Sequence, residues 1–197
     1  MIFKMNCPVL ACLSAALIAL PAFAALKEGD AAPPFTARAS LAGKAFDYAL
    51  KESLKSGPVV VYFYPAAFTG GCTLQAHTFA VNQEKFTAAG ASIIGVSLDS
   101  ISRLNDFSAD PESCAGKIAV ASDSDGRIAK AYDLAVRAAV AGRKDTRGAD
   151  IDHGSAERTT FVITPDGRIA AALGGLAPVA NVEQALEAVQ KLAFRAR

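Results

Sequence analysis

Cys72 is the residue with the most chemistry gathered around it. It follows Pro65-Ala66-Ala67-Phe68-Thr69-Gly70-Gly71 and stands where a helical pattern begins. A helix start offers unpaired N–H groups and the positive end of the helix dipole, and both favour thiolate over thiol. An ordinary thiol is about 3% ionised at pH 7, whereas one with a pKa near 6 is about 90% ionised. Position alone can therefore supply roughly thirtyfold more nucleophile. Helical counting places Cys72 on the face of Ala76, Phe79 and Phe86, so its sulfur should point coreward and be only partly open to solvent. Two readings of the residue itself stay open: an activated nucleophile, or a cysteine acting as a small buried hydrophobe.

The elements that must position Cys72 are legible on both sides of it. Val59 to Tyr64 is a continuous β-branched and aromatic run bounded by Gly57-Pro58 and Pro65, which predicts a buried central strand. The helical pattern from Cys72 ends at Gly90, and Ser92 to Leu98 predicts the next strand. Together they form a βαβ unit with parallel strands and a right-handed crossover. A short helix opened by Asp99-Ser100 carries Ile101, Leu104 and Phe107 inward. Asp110-Pro111 then reads as a cap and first turn, which puts Cys114 in a small separate turn. Lys117 to Ala121 predicts a strand and Ser124 to Tyr132 a helix. Residues 141–157 are polar, lack periodicity and predict a long surface loop. Thr159 to Thr164 and Arg168 to Leu173 flank Pro165-Asp166-Gly167, a hairpin signal, and Asn181 is expected to cap a last helix with Val182, Leu186 and Val189 on its core face. The order βαβ, insertion, ββα is the plan of an α/β, thioredoxin-like sandwich with a central mixed sheet flanked by helices, and a fold alone does not give a function.

Composition narrows the field. The chain has 197 residues, 52% hydrophobic and 20% charged, which suits one globular domain that buries its own core. Twenty basic residues against 19 acidic ones leave a formal charge of +1, so a strongly basic nucleic-acid surface is not expected. Residues 1–24 read as a cleavable signal peptide: Lys4, an apolar stretch from Val9 to Leu20, Pro21, and the triplet Ala22-Phe23-Ala24 with the cut after Ala24. An uncleaved anchor over Met5 to Leu26, or lipidation at Cys12, is the alternative. The expected product is residues 25–197, exported and periplasmic, with no stable membrane association. It retains only Cys72 and Cys114. An exported pair of cysteines can be a plain structural disulfide, closing a loop of about 43 residues for roughly 4 kcal/mol.

The stretch Pro65-Ala66-Ala67-Phe68-Thr69-Gly70-Gly71-Cys72 matches P-x-x-x-T-x-x-C, and with Tyr62-Phe63-Tyr64 before it and Phe79 after it the chain resembles the peroxiredoxins, most of all the peroxiredoxin Q or bacterioferritin comigratory protein group. The likeness runs from Gly29-Asp30-Ala31-Ala32-Pro33-Pro34-Phe35 to Arg158-Thr159-Thr160-Phe161-Val162-Ile163. It implies that Cys72 is the peroxidatic nucleophile, becoming a sulfenic acid on attacking a hydroperoxide. It also implies that Thr69 gives a hydroxyl donor, that Pro65 shields and shapes the pocket, and that Arg158 sets a permanent cation beside the sulfur. Backbone N–H groups near Cys72 complete the cradle, so that the leaving oxygen meets donors as its charge grows. Read alone, Thr69 is a turn hydroxyl and Arg158 a charge at a strand edge.

Two departures from the group's pattern stand out. Gln75 occupies the position where many relatives carry Glu, so an acid–base relay there is not supplied. His77 occupies the position of a common resolving cysteine, and at five helical steps it lies about 140° from Cys72 and is not cast as a base. His77 and His153 are the only histidines, neither with carboxylate spacing typical of a metal site, so no metal and no cofactor is expected. Cys114 is the remaining candidate to resolve the sulfenic acid, an arrangement that resembles a subset of the group, the other reading being an unpaired buried thiol. The expected activity is a monomeric thiol peroxidase for hydrogen peroxide and small organic hydroperoxides, recycled by an external thioredoxin-like dithiol. A one-Cys peroxidase, a thioredoxin-type oxidoreductase and a non-enzymatic binding domain stapled by its two cysteines are the alternatives. The oxidoreductase is disfavoured by the absence of C-x-x-C at Cys72.

Overall fold

A computed structural model describes residues 25–195, so the expected signal segment lies outside the described residues. Its centre is Val59–Phe63 (β3), every residue of which is buried. Alternation sends Val60, Tyr62 and Tyr64 to one face of the sheet and Val59, Val61 and Phe63 to the other, so that the single run builds two cores. β3 pairs in parallel with Ser92–Ser97 (β4), and β4 in parallel with Ala119–Ser122 (β5). On the opposite side β3 pairs antiparallel with Thr159–Ile163 (β8), which turns through Pro165-Asp166-Gly167 into Ile169–Gly174 (β9).

The far edge is an N-terminal hairpin, Thr36–Leu41 (β1) and Lys44–Ala49 (β2), that the sequence reading did not anticipate. Leu41 pairs with Lys44 across Ala42-Gly43, both at positive φ, the backbone of a two-residue type I′ turn without its usual Asn-Gly signal. The sheet order is β2-β1-β5-β4-β3-β8-β9, a mixed seven-stranded sheet.

Gly70–Ala88 (α2), Ile101–Ala109 (α3) and Pro178–Arg195 (α5) supply side chains to the Tyr62 face. Leu50–Ser53 (α1) and Arg127–Ala131 (α4) supply the other. Tyr62 stacks on Phe79 of α2 at 4.6 Å, and its ring lies so close to β4 that a Cβ on Gly95 would sit 2.5 Å from it.

Two expectations need correction. Asn181 does not cap α5: the helix starts three residues earlier with Pro178 at its first turn, and Asn181 is wholly buried within it. The helix expected to open at Asp99-Ser100 does so, with Ser100 as the cap of α3 accepting from the Arg103 N–H and Asp99 buried just ahead of it. Residues 141–157 are not simply a surface loop. Ser155–Ala156 (β7) pairs with Val136–Arg137 (β6), and Asp145, Ile151 and Ala156 are buried. This segment is held by polar side chains, which leave no hydrophobic period in the sequence.

Candidate active site

The site lies where β3 ends and β8 begins. Phe63 pairs with Thr159, so the register sets Arg158, just ahead of β8, beside the chain leaving β3 toward Cys72. Cys72 is the third residue of α2 and only 2% exposed, more buried than the sequence suggested. Arg158 Nη2 donates to its sulfur at 3.3 Å, and Nη1 reaches the Gly71 carbonyl at 3.5 Å. A permanent cation thus stands directly against the buried sulfur. Gly71 permits the approach, since a Cβ at that position would stand 3.3 Å from Arg158 Nη2.

The guanidinium is aimed by a buried neutral relay. Arg158 Nη1 donates to Gln75 Oε1. Gln75 Nε2 donates to Asn181 Oδ1 at 2.8 Å, which also accepts from Thr160 Oγ1 at 2.6 Å, and Asn181 Nδ2 donates to the Leu173 carbonyl at 2.9 Å. Gln75 therefore holds the arginine without neutralising it, and Asn181, expected as a cap, anchors Gln75. A polar residue on the same helical face as Cys72 was the one sign of this relay in the sequence.

Thr69 precedes α2, and its hydroxyl donates to the Ala66 carbonyl at 2.9 Å, not to Cys72. The Cys72 N–H is likewise engaged, donating to the Thr69 carbonyl at 2.9 Å. Pro65 directly follows Tyr64, whose N–H donates to the Val96 carbonyl, and it leads into the buried pair Ala66-Ala67. The structure thus brings Pro65, Thr69, Cys72 and Arg158 to one end of the sheet.

Cys114 is fully buried in the same apolar cluster as Cys72 and Tyr62, and both thiols are free. Burial, reinforced by the Asp110 carboxylate and opposed by the Tyr62 hydroxyl, pushes the Cys114 thiol well above the ordinary range. It sits in a turn over residues 111–117 in which Ala115 has φ of +51°, a left-handed conformation that costs about 1 kcal/mol for a residue with a Cβ.

A second polar cluster backs the turn between β3 and α2. The wholly buried Asp99 accepts from the Ala67 N–H at 2.8 Å, Ser97 Oγ at 2.7 Å and His153 Nε2 at 2.9 Å, and it pairs with Arg103 Nε at 2.9 Å. Burial alone would raise the Asp99 carboxyl, but the hydrogen bonds from His153, Ser97 and Ala67, with the His153 charge, hold it below the usual carboxylate range. Burial alone would lower His153, but the Asp99 hydrogen bond and charge and the Gly154 carbonyl raise it above its ordinary value. The stability carried by the histidine is fully present below its unfolded value and is lost as pH rises through its folded one; for Asp99 it is lost as pH falls through the lowered carboxylate value. Thermal unfolding of wild type against His153→Gln should therefore show the two proteins converging as pH rises from mildly acid to alkaline. A gap that is constant with pH would contradict the pairing.

The AhpC/TSA family matches residues 29–172. Peroxiredoxin Bcp of Escherichia coli K12 is 31% identical over 144 residues, covering 73% of this chain and 83% of that protein. Chloroplastic peroxiredoxin Q of Sedum lineare is 45% identical over 78 residues, covering 40% of each chain. The match thus spans well under half the length of such chloroplastic relatives. Among solved structures, peroxidoxin BcpB of Mycobacterium tuberculosis superposes with a TM-score of 0.70 at 26% identity, covering 85% of this chain and 98% of that one. Bacterioferritin comigratory protein of Xanthomonas campestris, studied for its alkyl peroxide reduction, superposes with a TM-score of 0.64 at 28% identity, covering 86% and 99%.

Proposed function

The chain belongs to the AhpC/TSA family, the peroxiredoxins, and on that footing we propose that it is a thiol-dependent peroxidase with Cys72 as its nucleophile. The observation that carries this is the Arg158 guanidinium at 3.3 Å from a buried Cys72 sulfur, held there by a neutral relay. The thiolate attacks one peroxide oxygen, the O–O bond breaks, and the departing oxygen takes a proton to leave as water or an alcohol. The sulfur is oxidised to a sulfenic acid and the peroxide reduced. Arg158 supports the anion at the start and the charge passing to the leaving oxygen. The Thr69 hydroxyl is one rotation from the Ala66 carbonyl to an incoming peroxide, and Pro65 closes the turn behind it. The substrates are hydrogen peroxide and small organic hydroperoxides, the latter supported by the alkyl peroxide reduction named for the Xanthomonas campestris relative.

Cys114 resolves the sulfenic acid in this reading: its sulfur bonds to Cys72 and water leaves with the sulfenic oxygen. Buried and held neutral, it attacks only after the strained turn over residues 111–117 opens. An external dithiol protein then reduces the disulfide, the monomer being the working unit. Residues 1–24 direct export, on the strength of their apolar run and the Ala22-Phe23-Ala24 triplet.

Cys114→Ser separates the two halves of this scheme. One equivalent of peroxide should still be consumed at the wild-type rate, with no intramolecular disulfide and a Cys72 sulfenic acid that a dimedone probe captures. A variant that recycles as fast as wild type with a dithiol protein would mean that Cys114 is only a buried thiol and the enzyme works with one cysteine.

A further inference from the structure

The turn over residues 66–69 sets where the Thr69 hydroxyl and the start of α2 stand, and it is gripped from outside. Asp99 takes the Ala67 N–H, and Arg103 Nη2 donates to the Ala67 carbonyl at 3.1 Å. Thr146 donates to the Phe68 carbonyl twice, from its N–H at 3.0 Å and its hydroxyl at 2.8 Å. Phe68 has φ of +57°, a conformation a side chain of its size adopts only when its surroundings impose it. Arg103 also pairs with Asp145 at 2.8 Å, which in turn takes Arg147. The segment 141–157 and the Asp99 cluster are thus one clamp on the Cys72 turn.

His153 closes that clamp in a way that fixes its protonation. A neutral imidazole has one N–H and one lone pair. Here both ring nitrogens face acceptors, Nδ1 the Gly154 carbonyl at 2.7 Å and Nε2 the Asp99 carboxylate at 2.9 Å. Neither neutral tautomer satisfies both, and only the imidazolium donates twice. Loss of the proton turns one contact into lone pair against lone pair, at a side chain only 14% exposed. The charged groups facing His153 are Asp99, which favours the cation, and Arg103, which opposes it.

We infer that His153, as an imidazolium, is a positioning residue for the Cys72 reaction: through Asp99 it holds the 66–69 turn in its reactive geometry, so that losing its proton slows peroxide reduction. The inference rests on the peroxidase reading above. The reaction therefore slows as the imidazolium gives up its proton and the Asp99 contact that holds the turn is lost.

The test is the rate of Cys72 oxidation by hydrogen peroxide, followed by quench and thiol labelling from about pH 6, near the ordinary histidine value, upward to about pH 9. Wild type should show a declining limb of about fivefold, the size of an ordinary coupling between two sites. His153→Gln keeps an amide donor for Asp99 but cannot titrate, so its decline should vanish. Identical profiles in the two proteins overturn the inference. A merely structural histidine would lower stability in the variant without removing the limb. Wild-type protein inert to peroxide at every pH would instead sink the peroxidase reading. The coupling has its own readout in wild-type protein alone: in a nuclear magnetic resonance titration, the Ala67 amide must shift with the His153 ring. An Ala67 amide that ignores that titration refutes the inference, whether or not the variant folds.

Discussion

Cys72→Ser should lose peroxide turnover by at least about a thousandfold, as enzymes do when their nucleophile is removed. Serine fits the space of the buried sulfur, so the fold should survive, but a hydroxyl is not ionised at neutral pH and forms no sulfenic acid. The measurement is hydrogen peroxide consumption with excess dithiothreitol, paired with thermal unfolding to show that the variant is folded. Normal turnover in Cys72→Ser would end the account, because no other described thiol than Cys114 remains to react.

Arg158 carries the second large effect. Its guanidinium touches the sulfur, the Gly71 carbonyl and Gln75 together, a fork that no other side chain reproduces. Arg158→Ala should slow Cys72 oxidation by about a hundredfold, the usual cost of removing one donor aimed at developing charge. Arg158→Lys keeps the charge but cannot hold Gln75 and the sulfur at once, so it should fall between the two. The rate to read is the second-order constant for the first oxidation, which excludes later recycling steps. Equal rates in all three proteins would show the cation to be a bystander at a strand edge.

What was legible in the sequence, and what was not, follows from how each part is held. Val59 to Tyr64, the helix after Cys72 and Ser92 to Leu98 are apolar elements cut by Gly and Pro, and they fold within a residue or two of expectation. The thioredoxin-like order followed from them, and P-x-x-x-T-x-x-C placed the site at the C-terminal end of β3. The N-terminal hairpin escaped because Ala42-Gly43 makes its turn and its exposure pattern is mixed. Polar residues escaped for a different reason. Asn181, Gln75 and Asp99 are buried, and His153 partly so, against partners that are distant in the chain, at separations of 54 to 106 residues for the Asp99–His153 and Gln75–Asn181 pairs. Periodicity registers apolar faces, and neither period nor local spacing reports such pairs. The same blindness made residues 141–157 look like a free loop when Asp145, Thr146 and His153 tie them to the Cys72 turn.

The central claim is that Cys72 is oxidised first and Cys114 second. Its most direct test adds one equivalent of hydrogen peroxide to the fully reduced protein, quenches within about a second, on the order of enzymatic turnover, and maps both thiols by mass spectrometry. The account predicts a Cys72–Cys114 disulfide, preceded at the shortest times by sulfenic acid on Cys72 alone. Sulfenic acid that persists on Cys72 beside a free Cys114 would contradict the resolving step, and two unreacted thiols would contradict the peroxidase itself.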